Sequence, residues 1–249
     1  MKFSATKEGR PFLVSPQLSK CSDYNVTHDG DWVAIAFHRR PQRPVRLGID
    51  VMSRTLPKYE PSVRSFVETM EVSMTKDERA WVLRGHPDAE KIVDDRLLSL
   101  EDQKKPKEPL SAEDKEMLAR QFDLWTHKEA LTKNIGRGLG FDFAKVEVAL
   151  WECDGEAREK RHSPKAILGV EGKRDDAYRF VEIMLPAGKK SVNGPDADES
   201  QLVVAEGPFE WTEEQISPAL TAAEAERSGL LQIWDMHAFI EESRKQASK

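Results

Sequence analysis

The sequence predicts an α+β fold, an antiparallel sheet with long packing helices. Three observations predict it. Residues 45–51 and 143–151 alternate apolar and polar with the period of a strand. Residues 111–135 repeat apolar side chains every three or four positions, the period of one buried helix face. The strand-like runs are joined by turns or interrupted by long helices, which places strands and helices apart rather than in alternating βαβ units. The run Gly136-Arg137-Gly138-Leu139-Gly140 follows a helix and precedes a strand, the reverse of a dinucleotide fingerprint, so that function is excluded.

Taken in order, Gly9 to Leu13 reads as a turn feeding a short strand with no earlier element to pair with it. A polar loop, Asp23 to Asp31, closes at Gly30 and leads into the apolar strand Trp32 to Phe37. In that loop His28 is either a structural or solvated histidine or, with Thr27 beside it, a group that holds a phosphate oxygen. Residues 38–46 carry Arg39, Arg40, Arg43 and Arg46 with two prolines and form a connector. In the next strand Val45, Leu47, Ile49 and Val51 share a buried face, which turns Asp50 away from the core as a loop-closing group or a ligand. Gly48 allows a backbone or a ligand to come close. Ser62 to Leu83 is helical in spacing, with a capping box from Thr75 to Glu78. Glu101 to Leu110 is a solvated linker, and Ala187 to Ser200 a long loop. Tyr178 to Leu185 and Gln201 to Val204 read as further strands, and Leu230 to Ile240 as a closing amphipathic helix. Domain bounds are expected at 1–46, 47–217 and 218–249, the last a helical tail.

Composition narrows the function. Hydrophobic residues at 39% and charged residues at 33% of 249 describe a globular chain with a sizeable core. A net charge of −6 argues against a general nucleic-acid binder. No apolar run approaches the roughly 18–20 residues of a bilayer span, and the N-terminus lacks the apolar core of a signal peptide. Cys21 and Cys153, without metal-ligand spacing, fit a reducing cytosol and inert buried roles. The expected location is cytoplasmic and the expected state a monomer.

The chemistry concentrates on the long helix. Ser111 is its expected N-cap, Leu118, Phe122 and Trp125 its buried face, and glycines from Gly136 its stop. Near that stop stand Lys128, Glu129 and Lys133, the last two one turn apart. An ordinary surface ion pair accounts for Glu129–Lys133. A carboxylate between two ammonium groups, beside aromatics and a glycine-rich turn, equally suits a metal ion with a polyphosphate. Pattern alone leaves both open.

Four blocks in order carry a resemblance to a known family: Gly9-Arg10-Pro11, Asn25 to Asp31, Gly48-Ile49-Asp50-Val51 and Trp125 to Lys133, with a weaker fifth at Met74 to Glu78. The chain resembles the 4′-phosphopantetheinyl transferases, specifically the two-lobed kind of fungi, animals and surfactin-producing bacteria. The resemblance implies a pseudo-twofold fold whose first lobe is incomplete here, because only residues 1–46 precede the second lobe. It implies holo-acyl-carrier-protein synthase activity: a serine hydroxyl of an apo acyl or peptidyl carrier protein attacks the β-phosphate of coenzyme A, and adenosine 3′,5′-bisphosphate leaves. Asp50 and Glu129 would be the Mg²⁺ ligands, and Glu129, Lys133 and Asp50 the catalytic set. Arg10, Thr27, His28, Lys128 and Lys133 would hold coenzyme A. Bacterial members carry a second acid where this chain has Met52. The partners implied are carrier domains of fatty acid synthase, polyketide synthase, nonribosomal peptide synthetase or aminoadipate reductase, with no nucleic acid and no membrane. Arg54, Lys58 and Arg64 are the expected carrier contacts. A non-catalytic module binding coenzyme A or a carrier, and a magnesium-dependent phosphatase, are the competing readings.

Overall fold

The computed structural model describes residues 2–7, 9–15, 23–38, 45–85, 110–137, 141–153, 165–168, 177–187, 199–208 and 219–247. Its centre is a four-stranded sheet built from β5 (Arg46–Ser53), β8 (Arg179–Leu185), β9 (Ser200–Gly207) and β10 (Leu220–Thr221), in the order β10-β8-β9-β5. β5 and β8 both run antiparallel to β9, and only the two-residue β10 lies parallel to its neighbour. The mixed α+β expectation therefore stands.

Both faces of this sheet are covered, and they carry separate cores. Gly48 and Asp50 on β5 share a face with Ala205 and Val203, their partners on β9, and that face receives the long helix α3 (Ala112–Ile135). Here Phe180, Val203 and Ala205 pack with Phe122, Leu124 and Leu131 of α3. The shorter α1 (Val63–Thr69) and α2 (Lys76–Arg84) add Phe66, Val67, Trp81 and Val82. The opposite face collects Ile49, Val51, Val181, Ile183, Leu185 and Leu202. Ala225 of α4 (Ala222–Arg227) covers it together with Trp32, Ala34 and Ala36. Strand alternation foresaw the second core and treated the first as the outside. Asp50 is thus buried under α3 instead of facing away from the core.

The other described strands form three hairpins. β3 (Tyr24–Asp29) and β4 (Trp32–Phe37) pair across the turn at Gly30, and β6 (Val146–Ala149) pairs with β7 (Lys165–Leu168). β1 (Lys2–Ala5) pairs with β2 (Pro11–Ser15), so the first strand-like run does have an earlier partner. Two aspartates fasten β3 along β5. Asp23 accepts the backbone N–H of Leu47 and Asp29 that of Ser53, each at 2.7 Å. The outer face of the β3–β4 hairpin is apolar and exposed, with Val33, Ile35 and Phe37 each more than half accessible.

Local signals place the helices well. Ser111 accepts from the N–H of Asp114, and Thr75 and Glu78 exchange both bonds of the capping box. The helical run expected over 62–83 divides at a 3₁₀ turn, Glu71–Ser73, because Thr75 restarts the helix with its own cap. The strand expected over 143–151 shrinks to four residues between two 3₁₀ turns. The last helix, α5 (Met236–Ala247), begins later than its apolar pattern and is exposed along its described length, with Trp234 against Phe239. The linker over 101–109, the loop over 188–198, Cys21 and most of the arginine connector lie outside the described residues.

Gly48 sets the distance between α3 and β5. A Cβ placed there would lie 1.9 Å from the carbonyl oxygen of Ala130 and 2.4 Å from the backbone nitrogen of Asn134. Neither backbone atom can yield without moving the helix. Gly48→Ala is expected to destabilise the protein by about 3 kcal/mol or more, read by urea or thermal unfolding, whereas an ordinary surface Gly→Ala would shift it by less than about 1 kcal/mol.

Candidate active site

Because α3 lies so close on β5, its last turn delivers Lys133 to Asp50. The Lys133 ammonium donates to Asp50 Oδ1 at 2.6 Å and to the Thr27 hydroxyl at 3.0 Å. Thr27 Oγ1 in turn donates to Asp50 Oδ1 at 3.0 Å. An ammonium carries three donors, so among the described residues one is left over for a ligand oxygen. Three elements, β3, β5 and α3, therefore meet at one carboxylate oxygen.

The second oxygen, Asp50 Oδ2, is buried without a hydrogen-bond partner among the described residues. Buried carboxylate oxygens are normally satisfied, and an orphan at a crowded polar junction invites a cation or a donor from a ligand. Burial pushes the Asp50 carboxyl above its ordinary value, against the pull of Lys133. Glu129, half-buried one turn before Lys133, is also raised, first by burial and then by the negative charge of Asp50. A second carboxylate that feels the negative charge of Asp50 adds to a field that suits a divalent ion. Among the described residues no group of three or more His, Cys, Asp or Glu gathers as a metal cage. Two carboxylates fit the coordination habits of Mg²⁺, which takes few protein acids, keeps several waters and shares substrate phosphates.

Thr27, Asp50, Glu129 and Lys133 are thus brought together, and three other expected site residues are not. Lys128 is 1% exposed. Its ammonium donates to Glu78 Oε2 at 2.5 Å, to the Ser73 carbonyl at 2.8 Å and to the Phe143 carbonyl at 3.0 Å. One residue before Glu129 the helix has turned about 100°, so Lys128 faces the core of α2 and β6 instead of a phosphate. Glu78 completes that junction by accepting the N–H groups of Thr75 and Val148. His28 likewise stands apart from that cluster. It follows Thr27 on β3 and so points to the opposite, exposed face, paired in register with Val33. Arg10 is engaged within the protein, by Asp23 and by the carbonyls of Leu47, Lys133 and Asn134. Of the expected carrier contacts, Arg54 pairs with Asp123 on α3, Arg64 approaches Glu68 at 3.8 Å, and Lys58 is exposed.

The residues that sequence reasoning missed are the ones that hold this arrangement. Asn134 donates to the carbonyls of Arg46 and Ala205, tying the end of α3 across β5 to β9. Asp23 and Asp29 bracket Thr27, and their even spacing along the strand was a readable sign that Asp29 shares its face.

The sequence model of the 4′-phosphopantetheinyl transferase superfamily matches residues 46–179, which hold Asp50, Glu129 and Lys133. The chain belongs to this superfamily. A 4′-phosphopantetheinyl transferase of Paxillus involutus is 30% identical over 220 residues, covering 82% of this chain and 69% of that protein. A phosphopantetheinyl transferase of Thraustochytrium sp. is 29% identical over 180 residues, 72% of this chain and 50% of the relative. The Xenopus laevis L-aminoadipate-semialdehyde dehydrogenase-phosphopantetheinyl transferase is 27% identical over 182 residues, 72% of this chain and 49% of its own. The chain therefore spans about half the length of the last two relatives. Within the phosphopantetheinyl transferase match, the Trp125 to Lys133 segment divides between two tasks, since Lys128 serves the core while Glu129 and Lys133 face Asp50.

Removing the Lys128 ammonium strands Glu78 at zero exposure. Lys128→Met is expected to cost about 3–5 kcal/mol of stability, as breaking one half of a buried pair does. Unfolding midpoints check this.

Proposed function

We propose that this protein is a magnesium-dependent 4′-phosphopantetheinyl transferase that modifies a serine of an apo acyl or peptidyl carrier protein with the arm of coenzyme A. The observation that carries the reading is the orphaned Oδ2 of Asp50, buried beside Glu129 and held in place by Lys133 and Thr27. Mg²⁺, bound by Asp50 and Glu129, would supply Lewis-acid neutralisation of diphosphate charge.

The rest falls to the chain's own residues. Lys133 keeps one ammonium donor for a diphosphate oxygen and so offsets charge that grows as the bond to the leaving group lengthens. Thr27 and Asp50 hold that lysine by two bonds, so its orientation precedes substrate. Glu129, whose proton affinity is raised by burial and by Asp50, takes the proton of the carrier serine. The serine oxygen forms its new bond to the β-phosphorus, and the bond from that phosphorus to the bridging oxygen breaks. Adenosine 3′,5′-bisphosphate departs with the electron pair.

The relatives' names support this substrate class, and they include activators of aminoadipate-semialdehyde dehydrogenase. We keep the cytoplasmic location, the monomeric state and the three-part division at 46/47 and 217/218 as parts of the same proposal. What supports the first of these bounds is how β3 is held, by side-chain bonds from Asp23, Thr27 and Asp29, while β5 starts the main sheet ladder.

Incubation with apo carrier protein, coenzyme A and Mg²⁺ should add one phosphopantetheine to the carrier mass. Binding of coenzyme A without that gain would support a non-catalytic module instead. Glu129→Gln, near-isosteric and half-buried, should lower transfer by at least about 100-fold while leaving the circular dichroism spectrum unchanged, since proton transfer and metal binding both depend on its charge. Chelation with EDTA should abolish transfer, and excess Mg²⁺ should restore it.

A further inference from the structure

We infer that Arg10 is a positioning residue for Lys133, acting through the backbone at the end of α3. The inference rests on the proposed transferase function and extends it to a residue that touches no reacting atom.

The last carbonyls of a helix have no intrahelical donor. At α3 the N–H groups of Gly136 and Arg137 both return to Thr132, which leaves Lys133, Asn134 and Ile135 with outward carbonyls. Arg10 supplies the donor for two of them. Its Nη1 reaches the Lys133 carbonyl at 2.7 Å and the Asn134 carbonyl at 2.9 Å. Its Nη2 reaches the Leu47 carbonyl on β5 at 2.9 Å and pairs with Asp23. One planar guanidinium thus joins the helix end carrying Lys133 to the strand carrying Asp50. The fork makes four bonds at once in a fixed plane, whereas a lysine ammonium in its place would have three donors at a single point.

The fork is itself held. Asp23 Oδ2 accepts from Arg10 and from the Leu47 N–H together. The Arg10 backbone N–H donates to Thr6 and its carbonyl accepts the Thr6 N–H, so the β1–β2 turn presents the side chain from a closed hairpin. Gly136, at the helix stop, would carry a Cβ 3.6 Å from Arg10 Cδ, so the stem lies across the end of α3 at ordinary van der Waals range. Arg46 performs a lesser version from an exposed position, donating to the Ile135 carbonyl at 3.1 Å, beyond Lys133.

Lys133 has a long side chain, yet its ammonium must satisfy Asp50 and Thr27 while presenting its last donor outward. A small shift of its Cα changes that outward direction, and misplacement by about 1 Å commonly costs up to about 100-fold in rate.

The test is steady-state transfer by the full chain, with coenzyme A varied. Arg10→Ala is expected to lower kcat by about 10–100-fold with less than about a 3-fold change in KM for coenzyme A, the signature of an interaction felt in the transition state. In the Lys133→Met background the same change should alter kcat by less than about 2-fold, because both act through one group. Arg10→Lys should resemble Arg10→Ala, and it also serves as the reading variant if Arg10→Ala fails to fold. A rise in KM at constant kcat, effects that multiply with Lys133→Met, or full activity in Arg10→Lys would overturn the inference. A readout without turnover separates it from the functional proposal: the ¹³Cε lysine resonance that vanishes in Lys133→Met should move in Arg10→Lys. If wild-type protein transfers nothing, the transferase reading fails alone. An unmoved resonance overturns the role of Arg10 whatever the activity.

Discussion

The structure depends on one close approach, the crossing of α3 over β5 at Gly48. A side chain at that point would meet backbone of the helix on both sides of Leu131. With hydrogen there instead, the helix descends until Lys133 touches Asp50 and Asn134 reaches across to Ala205 on β9. The polar junction is therefore a product of packing. Its ion pair joins residues 83 positions apart in the chain, and only the helix-to-sheet distance brings them within bonding range.

Charge is partitioned along the same helix. Lys128 and Glu129 are adjacent, yet the first closes a dry junction with Glu78 and the second faces the Asp50 carboxylate. The dry pair contributes specificity more than net stability, because dehydration of two ions offsets most of their attraction. It fixes the rotation of α3 about its axis, since a slip of one residue would bury Glu129 where Lys128 belongs. Rotation set on one side of the helix by Lys128 thereby sets the direction of Glu129 and Lys133 on the other.

Local chemistry was legible in the sequence where it was local in cause. The caps at Ser111 and Thr75, the stop at Gly136 and the strands over 179–185 and 200–207 follow from neighbours along the chain. Period-two alternation placed Ile49 and Val51 in a core correctly and missed that Gly48 and Asp50 face another, because a strand covered on both sides carries no polar face to reveal it. Asp50, Glu129 and Lys133 were singled out from residue type and resemblance, and the fold gathers them. Lys128, His28 and Arg10 were grouped with them by the same resemblance. Helix rotation turns the first away, strand alternation the second, and the open carbonyls of α3 occupy the third. None of these orientations can be read without knowing which elements touch.

The two aspartates at the ends of β3, one just before it and one its last residue, amount to a gauge. They stand six residues apart, Asp23 and Asp29, and grip N–H groups six residues apart on β5, at Leu47 and Ser53. Thr27 meets Asp50 between those two marks. An inserted or deleted residue anywhere from Tyr24 to His28 would satisfy one mark and miss the other, carrying the threonine hydroxyl past its acceptor. Length is thus fixed over this span even where identity is not, as at solvent-facing Val26.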